Sequence, residues 1–180
     1  MHFFVKQAVR TRFKFTRKGQ AVEQILAAQD IYLKLADRMT TSAGKRSVTV
    51  PRMLGIDEDM RHWSYFMLLD HNLIVNKSIT ARIRQLVLGE ECRALERFDI
   101  KRDVMPSDQA DRCVVRSFQC SIVDHIRTVE SMETLRGTAR TEHPLFGAFD
   151  AHMWHCMFAF HLQIHVKQAE RIAESVRIFM

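Results

Sequence analysis

The stretch Phe158 to Ile172, FAFHLQIHVKQAERI, does most to narrow what this chain can fold into. Phe158, His161, Ile164, His165, Gln168 and Ile172 fall on one stripe at the spacing of an α-helix. On that helix the two histidines face inward with the apolar residues. Their four-residue spacing lets both imidazoles point at one metal ion. The same spacing serves two core histidines that hydrogen-bond to carbonyls, so the pair alone leaves both readings open. A third ligand would tilt them.

At 180 residues the chain is long enough for one domain with a real core and too short for two comfortable ones. Apolar residues make up 47% and charged residues 27%, while Gly (6) and Pro (3) are sparse, a balance that predicts few turns, long elements and an all-α protein. The net charge of +6 is spread along the chain rather than blocked, which is weak support for nucleic acid as a partner. Cys92, Cys113, Cys120 and Cys156 form no C-x-x-C pair and no zinc-finger spacing, so reduced thiols in a cytoplasmic protein are expected. No apolar run reaches about 18 residues, so no membrane span is expected. The acid-free opening MHFFVKQAVRTRFKFTRK lacks the long apolar centre of a signal peptide. It reads as a basic N-terminal arm or helix over residues 1–18, with Phe3, Phe4, Phe13 and Phe15 packed and the cations wet.

Residues 19–180 read as one four-helix domain. The first helix runs from about Gly19 to Thr40, with Val22, Ile25, Leu26, Ile31, Leu33 and Leu35 as its apolar positions, and ends at TTSAGK. After an extended SVTVPRMLG, the acids of IDEDM suit the start of a second helix from about Glu58 to Leu88, with Gly89 as its stop. A third helix begins near PSDQAD, capped by Ser107 or Asp108, and reaches about Leu135. HPLFGAFD is expected to be a loop, after which Asp150 caps a fourth helix running almost to the end.

The third inward histidine comes from the second helix, where His71 shares a face with Met67, Leu68, Ile74, Val75 and Ser78. His62 looks like a helix-start residue. His2, His143, His152 and His155 read as structural or exposed, and His125 as surface or interface. Three unpaired imidazoles in an apolar core would be costly, and a metal resolves that cost. Three neutral histidines leave at least one open coordination position, where a divalent ion binds water or a deprotonated substrate. Imidazole suits Zn, Ni and Fe alike.

WSYFMLLDH resembles the second-helix motif of the DinB/YfiT-like superfamily of metal-binding four-helix bundles, its histidine eight residues after the tryptophan. HPLFGAFDAHMWHCMFAFHLQIHVKQAERI resembles that family's segment leading into the fourth helix, in which Trp precedes H-x-x-x-H and then Gln. The resemblance covers about Gly19 to Arg171, and the first and third helices match only by pattern. It implies a metal held by His71, His161 and His165. It also implies a metal-dependent enzyme that uses a low-molecular-weight thiol, the ion lowering the thiol's pKa for transfer or detoxification of a small-molecule substrate.

Other residues carry open readings. Gln168 either holds a water, orients His165 or is simply a solvated or core-edge glutamine. Trp63 and Trp154 either wall a pocket or are large core residues near helix starts, and Met67 reads as core filling. Asn72 and Asn76 point off the face of His71. Phe66, Leu69, Leu73 and Ile83 lie on the opposite face, which predicts a cover from the N-terminal arm or from a homodimer partner. A second class of function, a non-catalytic stress-response or binding module with a structural metal, stays beside the enzyme.

Overall fold

Helix α2 (Lys18–Asp37) turns Ala21, Ile25, Ala28, Tyr32 and Ala36 inward, a stripe of mostly small side chains that lets a neighbouring helix approach closely. The computed structural model describes residues 3–88 and 102–177. Ahead of α2 lies α1 (Phe3–Phe15). After it come α3 (Thr41–Lys45), a 3-10 turn (Glu58–His62), α4 (Tyr65–Leu88) and α5 (Cys113–Glu130). A hairpin of β1 (Thr141–His143) and β2 (Gly147–Phe149) then leads into α6 (Ala151–Arg177). The protein is mostly helical, as its composition predicts. The four long helices close a ring of contacts in which α2 packs on α6, α6 on α4, α4 on α5, and α5 more thinly back on α2. Tyr32, Tyr65, Phe66, Phe118, Phe158, Leu68, Leu69, Ile83 and Ile122 fill the centre.

Two buried hydroxyls tie this ring together across helices. Tyr32 donates to the Leu162 carbonyl at 2.8 Å, and Tyr65 donates to the Tyr32 carbonyl at 2.6 Å. Burial pushes both phenols well above their ordinary pKa, so each stays a donor. No helix among the described residues is long and apolar enough to cross a membrane.

Several boundaries differ from the sequence expectation for identifiable reasons. Of the six apolar positions assigned to the first helix, Ile25 is fully buried and Leu26 is exposed, because alanines and Tyr32 face the core instead. TTSAGK does not simply end that helix. Thr40 caps the Ala43 amide at 3.2 Å and starts the short α3. The acids of IDEDM start only a 3-10 turn. The Val48 and Val50 amides bond to the Trp63 and Arg61 carbonyls, and α4 begins at Tyr65 with the Ser64 hydroxyl accepting from the Met67 amide. The third long helix starts at Cys113, whose amide bonds to Asp111, rather than at Ser107 or Asp108, and ends at Glu130 rather than near Leu135. Gly89 lies outside the described residues.

The stretch taken for a loop contains the hairpin, with Thr141 opposite Phe149, Glu142 opposite Ala148 and His143 opposite Gly147. Gly147 has φ +81°, a turn conformation that side chains with a Cβ rarely adopt. Asp150 does cap α6, its Oδ1 accepting the Met153 amide at 2.8 Å. The basic opening segment is helical, with Phe13 packed (1% exposed) and Val9 half-buried against the core, while Phe4 (83%) and Phe15 (75%) are exposed rather than packed. Phe13 meets Phe149 and Phe160 edge to face. The face of α4 opposite His71 is covered within the chain: Phe66, Leu69, Leu73 and Ile83 are all buried. Phe66 lies directly against Gly44 of α3. Asn72 and Asn76 are buried as well.

Candidate metal centre

Helix α4 supplies His71 and helix α6 supplies His161 and His165, and the three offer ligand atoms that all lie within 4.8 Å of one another. The ring centroids are 5.1 Å apart for His71 and His161, 4.9 Å for His71 and His165, and 4.5 Å for His161 and His165. The structure thus brings together the three histidines read from the sequence. The i, i+4 spacing on α6 places two of them on adjacent turns of one face, and the packing of α4 on α6 brings in the third.

Hydrogen bonds fix the orientation of two rings. His71 Nδ1 lies 2.8 Å from the Val104 carbonyl, which can only accept, so Nδ1 carries the proton and Nε2 keeps its lone pair. His165 Nδ1 lies 2.7 Å from Gln168 Oε1, and Gln168 Nε2 donates to the Met60 carbonyl at 2.7 Å. That second bond orients the amide with its oxygen toward His165, so His165 Nε2 is also a free lone pair. Such outward Nδ1–H bonds are how metal-ligating imidazoles are held. Gln168 is therefore a buried residue that orients His165, one of the roles its place on the stripe allowed.

His71 Nε2 stands 3.2 Å from His161 Nε2. Zinc held by imidazoles at about 2.0–2.1 Å in a tetrahedron needs nitrogens about 3.3 Å apart. That pair already fits, and the widest separation in the set would close by up to about 1.5 Å on binding. His161 Nδ1 is buried without a hydrogen-bond partner.

The site is largely buried and short of negative charge. Burial lowers the pKa of His71 to about 4 and that of His165 to about 3, and drives His161 down as well, with its two neighbouring imidazoles adding to the effect. All three are neutral near pH 7, the form that ligates metal. His71 and His165 are buried and His161 is partly open. Asp70, next to His71, turns away to accept the Ser107 amide at 2.9 Å. Adjacent residues of α4 therefore hold down both ends of segment 104–107 beside the centre.

The pocket residues expected from the sequence divide. The Trp63 ring lies 4.9 Å from that of His71, so it walls the centre. Trp154 packs against His143 and Phe149, donates to the Thr141 hydroxyl and carries Arg82 over its face, which places it with the hairpin. Met67 is half-buried against the core.

A second histidine pair escaped the sequence reading. His125, expected at the surface, is fully buried, as is His155. His125 Nε2 lies 2.9 Å from His155 Nδ1, His155 Nε2 lies 3.1 Å from the Lys18 carbonyl, and Thr80 Oγ1 lies 2.9 Å from His125 Nδ1. The Lys18 carbonyl can only accept, so His155 Nε2 donates to it and His155 Nδ1 accepts from His125 Nε2. The Thr80 hydroxyl lies between His125 Nδ1 and the Asn76 carbonyl, 2.8 Å from the latter, and the network joins α4, α5, α6 and α2. The signal was present in the spacing, since His125 falls on the stripe of Phe118, Ile122 and Val129. His152 accepts from Arg136 at 3.0 Å, and His143 Nδ1 accepts the Leu145 amide in the hairpin, both structural roles. His62 bonds to Thr49, and His2 lies outside the described residues.

No protein-family model, curated protein or solved structure matches the chain.

Proposed function

We propose that this chain is a divalent-metal protein of the DinB/YfiT-like kind, a four-helix bundle in which His71, His161 and His165 hold one ion and leave a position open for an exogenous ligand. The observation that carries the reading is the orientation of the rings: Val104 and Gln168 engage the Nδ1 atoms of His71 and His165, which leaves their Nε2 lone pairs free. When bound, a divalent ion there lowers the pKa of a coordinated thiol or water and offsets developing negative charge. The chain's own residues do the rest. Burial keeps the imidazoles neutral, Trp63 excludes water on the His71 side, and the partly open His161 marks the side from which a small molecule reaches the centre.

The finer reading is a thiol-dependent transferase or detoxifying enzyme of the cytoplasm; the covered face of α4 removes the ground on which a homodimer was expected. A stabilising metal without catalysis is the second reading, favoured by the burial of two of the three ligands.

Elemental analysis of untagged protein, set against His71→Ala and His161→Ala, tests the centre. Near one equivalent of Zn, Ni or Fe in the wild type and its loss in both variants is the expected result. A wild type that stays metal-free after incubation with all three ions overturns the proposal. Metal-dependent consumption of a thiol with a chloronitroaromatic electrophile selects the enzyme, whereas a raised melting temperature without turnover selects the structural metal.

A further inference from the structure

Away from the histidines, a cleft of about 430 Å³ opens between α1 and the start of α6, lined by Gln7, Arg10, Thr11, Lys14, Arg136, Arg140, Asp150 and Met153. Gln7, Arg10, Thr11 and Lys14 recur at helical spacing and form one wall, while the connection from α5 to β1 supplies the two arginines opposite. Met153 and His161 are eight residues apart on α6, about 12 Å along its axis, so the cleft is separate from the metal centre.

Its charge is one-sided. Four cationic side chains face one carboxylate, and the Oδ1 of that carboxylate, in Asp150, already accepts the Met153 amide. Among the described residues none of the four cations forms an ion pair, and the side chains of Lys14 and Arg140 have no hydrogen-bond partner.

Two of the guanidinium groups are fixed in place by carbonyls instead of acids. Arg10 Nη1 donates to the Phe146 and Ala148 carbonyls at 2.8 and 3.0 Å, and the group lies over the Phe149 ring. Arg136 Nη2 donates to the Lys14 carbonyl at 2.8 Å and to His152 at 3.0 Å. Each bond set uses one terminal nitrogen and leaves the other N–H groups of a pre-oriented planar fork, the geometry that matches phosphate oxygens.

We infer that this cleft is a binding site for a phosphorylated small molecule. Two anchored arginines give the site its shape, and Lys14 and Arg140 are free to close on the anion. The volume falls in the range of small-ligand clefts.

Calorimetric titration of the full-length protein with pyrophosphate, at fixed ionic strength, tests this. One equivalent is expected to bind, with affinity about tenfold weaker in Lys14→Gln and in Arg140→Gln, each confirmed folded by circular dichroism. Lys77→Gln, which removes the same charge from an exposed position on α4, and His161→Ala are expected to leave it unchanged. Absence of binding, or equal weakening by Lys77→Gln, overturns the site. Loss of binding in His161→Ala would place the anion at the metal centre and overturn it equally. A duplex oligonucleotide that binds more tightly than pyrophosphate and loses affinity in the Lys14 and Arg140 variants would replace the small molecule with nucleic acid.

Discussion

Ninety residues apart in sequence and on different helices, His71 and His161 bring their Nε2 atoms to 3.2 Å of each other. Two lone pairs at that distance repel unless a proton or a cation lies between them. Because His71 holds its proton on the far side, against Val104, the contact depends on what His161 or a metal supplies.

Gln168 connects ligand orientation to metal affinity. In Gln168→Leu the acceptor for His165 Nδ1–H is gone, and zinc affinity is expected to fall about 10–100-fold. Gln168→Glu keeps an acceptor and should lose less. Competition with a chromogenic chelator measures both, and equal affinity in Leu and wild type would sink the orienting role.

Gly44 is required by the ring it touches. A Cβ at this position would clash with three atoms of the Phe66 ring, and that ring is itself fully buried. Gly44→Ala is expected to destabilise the protein by about 1–3 kcal/mol. Combining it with Phe66→Leu should recover part of the loss, which denaturant unfolding of the single and double variants would reveal.

The His125–His155 pair ties stability to pH. Burial, with the neighbouring Lys18 and His152 charges adding to it, takes the pKa of His155 to about 4, below the ordinary value of 6.5 that the unfolded chain keeps. Its contribution is complete above pH 6.5 and is lost as pH falls from 6.5 toward 4, because the unfolded chain takes up the proton first. For this one group the loss between pH 7.5 and pH 5 is about 2 kcal/mol. His125 is lowered by its own burial, by His155 and by Arg84, and adds in the same direction. Urea unfolding at both pH values should show a shallower decline in His155→Gln than in wild type; an identical decline would assign the acid sensitivity elsewhere.

Phe13 and Phe15, two residues apart on α1, separate packing from exposure. Phe13→Ala removes a ring seated between Phe149 and Phe160 and is expected to cost about 3–5 kcal/mol, whereas Phe15→Ala should stay within about 0.5 kcal/mol. Thermal unfolding of the two variants makes the comparison. Similar effects would mean that α1 is not anchored through Phe13.

Much of the centre was legible because helical spacing is a local property. His161, His165 and Gln168 fall on one face whatever surrounds them, and His71 follows from the inward stripe of its own helix. The Asp150 cap was readable for the same reason, its partner amide being three residues away. Where the spacing was present but outweighed by the general preference of histidine for the surface, as at His125, the reading failed.

The sequence by itself determined the long helices, the inward direction of the three histidines and the cap that starts α6, since each depends on contacts within a few residues. Only the tertiary structure decided the partners that orient those histidines. The acceptors that fix the centre, the Val104 carbonyl for His71 and the Met60 carbonyl for Gln168, are backbone atoms in segments far along the chain. Every residue type carries such a carbonyl, so no side-chain pattern announces which one the fold will bring to the site.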